Sequence, residues 1–257
     1  MGLRRRIAVL TGAWNGEVLY ELLSGISQAC SENNADTFVF SCYGGWSEDP
    51  IYNIGEYNIF SLMNTDDYDG FIIISRTIAS YPIREQLQKK IVASGKPAIS
   101  IEHDLEGIHY VGINNYEAMY HMVEHLIVHH QCRVLNYAGG PEDDYENLER
   151  MRAFRDVLAK YDIHVEERRI RYFGYKYSDG IDAFRHFNKI EIASPDAVVC
   201  ANDELAVGYC CEASRNGIKA PNDFPITGFD NFRFAETFVP KLTTVDREKE
   251  LCGYHSC

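Results

Sequence analysis

Short apolar runs of strand length alternate along this chain with longer stretches of helical period, and no other feature constrains its fold so strongly. Residues 7–10 (IAVL) form the first run, and residues 16–33 follow with Val18, Leu19, Leu22, Leu23, Ile26 and Ala29 on one helical stripe. Strand runs recur at 37–41, at 70–74 behind the acidic turn 66–69, and at 98–101. Ile83, Leu87 and Ile91 mark a helix that stops at Gly95 and Pro97. The cycle then restarts. Met119, Met122, Val123, Leu126 and Ile127 predict a helix, 134–138 a strand, Leu148, Met151, Phe154, Val157 and Leu158 a helix, and 170–173 a strand. A helix at 178–188, a strand at 197–200, a helix at 204–216 and a strand near Ile226 complete the pattern. Continuous apolar runs are the mark of parallel strands buried on both faces. Strand–helix–strand repetition then implies an α/β fold with parallel sheets and helices on both faces.

About eight such units would also allow a closed eight-fold barrel. Two open sheets of about four to five strands fit better, because residues 102–115 read as a polar crossing between two lobes. In open parallel sheets, ligands sit at the carboxyl ends of strands, so the residues just after each strand are the ones to read for function.

After the first strand comes Thr11-Gly12-Ala13-Trp14-Asn15-Gly16, which is neither GxGxxG nor GxxxxGK[ST], so neither nucleotide cradle is present. Trp14 is either a loop anchor or a flat platform for a ligand ring. Tyr43-Gly44-Gly45-Trp46 follows the second strand, Arg76 the third, and Glu102, His103 and Asp104 the fourth. In the second half, Gly139-Gly140-Pro141 leads to Arg150, and Phe173 to Tyr175. Cys200 is followed by Asn202 and Asp203, and Phe229 by Asp230 and Asn231. Any one of these has a bland role; Asn202 or Asp203, for example, would serve simply as an N-cap. Their recurrence at the strand ends is the signal. Aromatics stack on a ring while amide, carboxylate and guanidinium groups bracket hydroxyls, which suits a small polyhydroxylated guest.

Charge narrows the function further. Lys plus Arg is 25 and Asp plus Glu is 38, a net charge of −13. Such a chain lacks the footprint of a stand-alone nucleic-acid binder and is repelled by anionic membranes. No apolar run approaches the ~18 residues of a membrane span, and the start MGLRRRIAVLTGAW does not read as a secretory signal. The eight cysteines form no CxxC pair and read as free, mostly buried thiols, which points to a reducing cytoplasm. GxSxG, HExxH and a nucleophilic lysine setting are all missing. Glu102 and Asp230 are the carboxylates that glycoside hydrolysis would need, but the chain reads as a binding protein and not as an enzyme. His121, His125 and His129 recur at i, i+4 and i+8 with His130 beside them, and two such histidines can share a metal. The stripe lies off the Met122, Val123 and Leu126 face, so a solvated or interface surface is expected, with no metal and no cofactor. The Cys252, His255 and Cys257 tail is a weaker metal set still.

Several strings occur together in one order: VEHLI (123–127), YAGGPED (137–143), ENLERMRAF (146–154), PDAVVCANDELAVGY (195–209), ITGFDN (226–231) and VPKLTTV (239–245). In these the chain resembles the effector-binding core of lactose-repressor-type (LacI/GalR family) transcription regulators. The resemblance implies the two-lobed periplasmic-binding-protein type I fold, with two Rossmann-like lobes and a hinge between them. It implies an N-terminal lobe at 1–112 plus 246–257 and a C-terminal lobe at 113–245. Arg150, Asn202 and Asp230 match the family's ligand arginine, asparagine and aspartate. Tyr175 falls where an aromatic often meets the sugar, Glu102 where many members have an aspartate, and Trp14 in a loop that usually touches ligand. With Tyr43, Trp46 and Arg76 from the strand ends, these form the expected ligand-binding set. The expected ligand is a small polar effector, a sugar, bound between the lobes and signalled by their closure. A homodimer is expected, without membrane contact.

Three departures accompany the resemblance. The helix-turn-helix headpiece has no counterpart, so DNA would be reached only through a segment absent from this chain. His130-Gln131 stands where Gly-His is usual. The chain stops at Cys257, inside the helix expected after Val245, and so reads as truncated. A sensory input module of a diguanylate cyclase or kinase, and a sugar receptor for transport, share the fold and are the alternative readings.

Overall fold

The computed structural model describes residues 4–12, 16–43, 50–189 and 194–256. The chain divides into two units, Met1–Ile113 with Glu248–Cys257, and Asn114–Arg247.

In the first unit the order is β1 (Arg5–Thr11), α1 (Glu17–Glu32), β2 (Ala35–Ser41), α2 (Pro50–Tyr57), β3 (Gly70–Ile74), α3 (Tyr81–Ser94), β4 (Ala98–Ile101) and β5 (His109–Val111). The strands form one parallel sheet in the order β2-β1-β3-β4-β5. Side chains alternate across a strand, so the apolar runs feed two helix layers at once. Ala8, Leu10, Phe71 and Ile73 pack with Leu87 and Ile91 of α3. Val9, Ile72, Ile74 and Ile101 pack with Leu19, Leu22 and Ile26 of α1. β5 lies inside the stretch expected to be a polar crossing. It pairs Ile99 with His109 and Ile101 with Val111 at the sheet edge. His109 and Tyr110 are exposed there, so this strand carries no apolar run to announce it.

The second unit repeats the scheme with α4 (Asn115–Val128), β6 (Leu135–Gly139), α5 (Tyr145–Lys160), β7 (Ile170–Tyr172), α6 (Tyr177–Lys189), β8 (Ala197–Cys200), α7 (Asp203–Arg215), β9 (Ile226–Thr227) and α8 (Arg233–Thr237). Its parallel sheet runs β7-β6-β8-β9. Side-chain caps start three of its helices. Asn114 accepts from the Glu117 amide, Asp144 from Asn147 and Asn202 from Leu205, at 2.9–3.0 Å. Beyond β9 the chain runs parallel to it, with Gly228 N donating to Thr243 O and Asp230 N to Val245 O. This places Arg247 beside the loop that holds Asp230. A last helix, α9 (Lys249–Tyr254), returns to pack on α1.

Helices α6 and α7 approach backbone to backbone through glycine. A Cβ on Gly208 would stand 2.1 Å from the Tyr177 carbonyl oxygen, and one on Gly180 would stand 2.2 Å from that of Leu205. The facing atoms are main chain and cannot step aside as a side-chain tip can. Gly208→Ala is therefore expected to lower the unfolding free energy by about 1–3 kcal/mol. Urea denaturation checks this, and an unchanged midpoint would contradict the close packing.

Candidate ligand-binding site

Parallel order brings the carboxyl ends of β6, β8 and β9 to one edge of the second unit's sheet, together with the start of α5. Glu146 and Arg150 stand one turn apart on α5, 3% and 1% exposed. A buried guanidinium is tolerated only when its donors are met. Arg150 Nε donates to Asn115 Oδ1 at 3.0 Å, Nη1 to the Ala201 carbonyl at 2.6 Å and Nη2 to Glu146 Oε2 at 3.0 Å. Its plane lies 3.8 Å above the centroid of the Phe229 ring, a favourable cation–π stack.

A second arginine completes the cluster. Arg247 Nη2 donates to Glu146 Oε1 at 2.8 Å, and Nη1 to Asp230 Oδ1 at 3.1 Å. Arg150 Nη2 lies 3.9 Å from the same Asp230 oxygen. Two carboxylates and two guanidinium groups thus cancel in charge within a buried patch. Asp230 is held at φ 107°, a conformation that an L residue adopts only under constraint. Both of its ion pairs fall on Oδ1.

Asn202 caps α7 with its side-chain oxygen, and its amide donates to the Tyr175 carbonyl at 2.9 Å. The Tyr175 hydroxyl donates to Asp144 at 2.6 Å. Its ring lies over Gly140, where a Cβ would come within 2.4 Å of it. The glycine at this turn is therefore what admits the aromatic. Asp203 is fully buried; it accepts from Thr244 Oγ1 and from the Phe232 amide. Its role is to pin the loop that carries Asp230.

Of the expected residues, Arg150, Tyr175, Asn202 and Asp230 come together in the second unit. Three more stand at strand ends of the first unit. Tyr43 follows β2, its amide donating to Glu56. Arg76 lies in the turn after β3. Glu102 follows β4 at φ 62°, its amide donating to the Val111 carbonyl. Trp14 and Trp46 lie outside the described residues. Sequence reasoning missed Glu146, Arg247, Asn115 and Asp144. Glu146 had a signal, since it stands one helical turn before an arginine. Arg247 had none, because it sits in the uniformly charged run DREKE.

The other chemistry-bearing groups among the described residues are buried thiols and a cluster of histidines. Burial pushes the Cys210 thiol up to about 12 and also raises Cys132 and Cys200, so these stay protonated and weakly nucleophilic. No disulfide joins two of the described cysteines. His125 Nε2 lies 3.2 Å from His130 Nε2 on the exposed face of α4. Among the described residues no group of three His, Cys, Asp or Glu is placed to hold a metal ion.

Residues 123–257, just over half of the chain, match the periplasmic binding protein-like domain family. The chain is 30% identical over 193 residues to catabolite control protein A of Staphylococcus xylosus, covering 74% of this chain and 56% of that protein. It is 27% identical over 263 residues to the HTH-type transcriptional regulator GntR of Escherichia coli, covering 97% of this chain and 71% of that protein. A regulatory protein of LacI family from Chloroflexus aggregans superimposes with a TM-score of 0.80 at 20% identity, covering 98% of this chain and 87% of that one. The transcriptional regulator CelR in complex with cellobiose gives 0.79 at 20% identity, covering 98% and 76%. The chain belongs to the periplasmic binding protein-like domain family. The expected α/β architecture and the resemblance to the LacI/GalR effector-binding core are both borne out. No helix among the described residues is long and apolar enough to cross a membrane.

Glu204, on the first turn of α7, reports on the site's electrostatics. Burial raises its pKa above the ordinary 4.5, helped by the charges of Asp230 and Asp179 and opposed by the Tyr177 amide and Lys176. A carboxyl that binds its proton more tightly when folded weakens the fold once pH exceeds its folded value. Glu204→Gln keeps the acceptor for the Tyr177 amide and removes that penalty. The variant is expected to melt higher than the parent at pH 7–8, with the gain vanishing below about pH 4.5, where the glutamate is protonated in both states. Melting curves across pH check this, and a gain independent of pH would contradict it.

Proposed function

We propose that this chain is the ligand-sensing domain of a LacI-type transcription regulator that takes a small, uncharged, hydroxyl-rich effector, a sugar, at the strand ends. The observation that carries the proposal is the second unit's cluster. Asp230 is fixed through Oδ1, Arg150 is stacked on Phe229, and Asn202 and Tyr175 are tied to each other beside them. Such oriented donors and acceptors bind hydroxyls with little ordering cost. Because the four charges cancel, an uncharged guest can enter without leaving one unpaired. The cellobiose complex of a similarly folded regulator supports the choice of a sugar.

In this reading Tyr43, Arg76 and Glu102, with Trp14 and Trp46, supply the first unit's share of the contacts. A ligand gripped by both units shifts the population toward a closed form, which needs ~5 kcal/mol of differential affinity for a complete switch. DNA contact belongs to a helix-turn-helix headpiece outside these 257 residues, the class of segment named in the HTH-type relative. The protein works in the cytoplasm as a homodimer without enzymatic activity. The transcription-regulator names of the relatives favour this over a transport receptor or an enzyme. In the homodimer reading, the exposed Ile51, Ile54, Leu62 and Tyr81 are apolar side chains of the first unit that a second copy would cover.

A thermal-shift screen with monosaccharides, disaccharides, polyols and nucleosides tests the proposal. At a hundred-fold excess over Kd, a ligand adds ~2.7 kcal/mol to stability. A sugar is expected to raise the melting temperature of the parent chain, with the rise lost in Asp230→Asn and reduced in Arg150→Lys. A stabiliser whose effect survives both substitutions would show that the site lies elsewhere, and stabilisation by nucleosides alone would replace the sugar.

A further inference from the structure

The second unit holds a cavity of about 450 Å³ at the opposite end of its sheet from the effector site, between α6, α7 and the amino end of β6. Four aromatic rings of the described residues line it, set among the polar side chains of Asn136, Asn188, Ser194 and Asp223. Phe184 and Tyr209 meet edge to face at 5.3 Å, and Tyr209 meets Phe224 at 5.6 Å, with Phe187 beside them. Asn136 lines the same cavity from β6 at 1% exposure. Its Oδ1 accepts from Arg169 Nη1 at 3.1 Å, which fixes the amide's orientation. Its Nδ2 is buried and has no hydrogen-bond partner. Leaving a buried donor unmet costs ~1–3 kcal/mol, so such a group in a native fold calls for an acceptor.

We infer that this cavity is a second binding site for a small, flat, uncharged aromatic molecule whose carbonyl or ring nitrogen accepts from Asn136 Nδ2. The volume falls in the range of small-molecule sites, and aromatic and polar side chains share the lining, so a planar guest with polar edges fits it. Three constraints set the ligand class. Edge-to-face rings favour a planar guest that extends the aromatic stack. Asn136 asks for one acceptor. No lysine or arginine is among the described lining residues, whereas Asp223 is, so an anionic guest would find no counter-charge. The site therefore differs in kind from the effector site, where paired charges and amides await hydroxyls. It does not depend on the sugar reading. Asn136 and Gly139 stand at opposite ends of β6, so the two ligands would approach one strand from its two ends.

Ligand-observed NMR and titration calorimetry on the full chain test this, with nicotinamide, 4-hydroxyacetophenone and 2-quinolinone as probes and benzoate as the charged control. Asn136→Asp keeps an oxygen for Arg169 and removes the donor; Ile218→Trp fills the cavity from its rim. At least one neutral probe is expected to bind saturably, at least ten-fold more weakly in both variants, with benzoate much weaker than the neutral probes. If Asn136→Asp does not fold, Ile218→Trp alone decides. Absence of saturable binding by all three probes would overturn the inference, as would affinities unchanged in Ile218→Trp or a crystal soaked with the probe showing only water on Asn136 Nδ2.

Discussion

Four buried charged side chains, Glu146, Arg150, Asp230 and Arg247, can share one patch only because they neutralise one another. Glu146 bridges the two guanidinium groups, and Asp230 is held by Arg247 with Arg150 close by. Removing any partner would leave a charge uncompensated in a region that water hardly reaches, a loss of about 3–5 kcal/mol for a buried pair. The patch is therefore rigid for an energetic reason, and rigidity is what a recognition surface needs. Asp230 is kept at a positive φ by the same pairs and by its backbone bond to Val245. The strain is stored at the carboxylate that the proposed site would use.

The surrounding fold delivers these groups with few devices. Parallel strands end on one edge, the caps at Asp144 and Asn202 start α5 and α7 beside that edge, and Gly140 leaves room for Tyr175. Arg247 is the last residue of the second unit before the chain passes to the first. The polypeptide thus leaves this unit directly from the ion-pair network.

Most of the architecture was legible because buried parallel strands advertise themselves. The runs at 70–74, 98–101 and 197–200 coincide with β3, β4 and β8. At the short edge strand β5, His109 and Tyr110 are exposed and no apolar run announces it, whereas the edge strand β2 keeps Phe38, Val39 and Phe40 and was legible. The helices α8 and α9 are too short for a period to show. Arg150, Asn202 and Asp230 were legible as residues following strands, but their pairing was not. Arg247 comes from a charged run that looks solvated in sequence and is 6% exposed in the fold. What sequence period cannot encode is which of several charges is drawn inward by a partner far along the chain. At Asn202 the side-chain oxygen is the N-cap, while the amide donates to the Tyr175 carbonyl.

The most direct measurement is a crystal structure of this chain with the sugar that stabilises it most. The account predicts sugar hydroxyls within hydrogen-bonding distance of both Asp230 and Arg150, with Glu146 still bridging the two arginines. A sugar seated away from both residues, or one bound with the Glu146 bridge dismantled and its charges exposed, would contradict it.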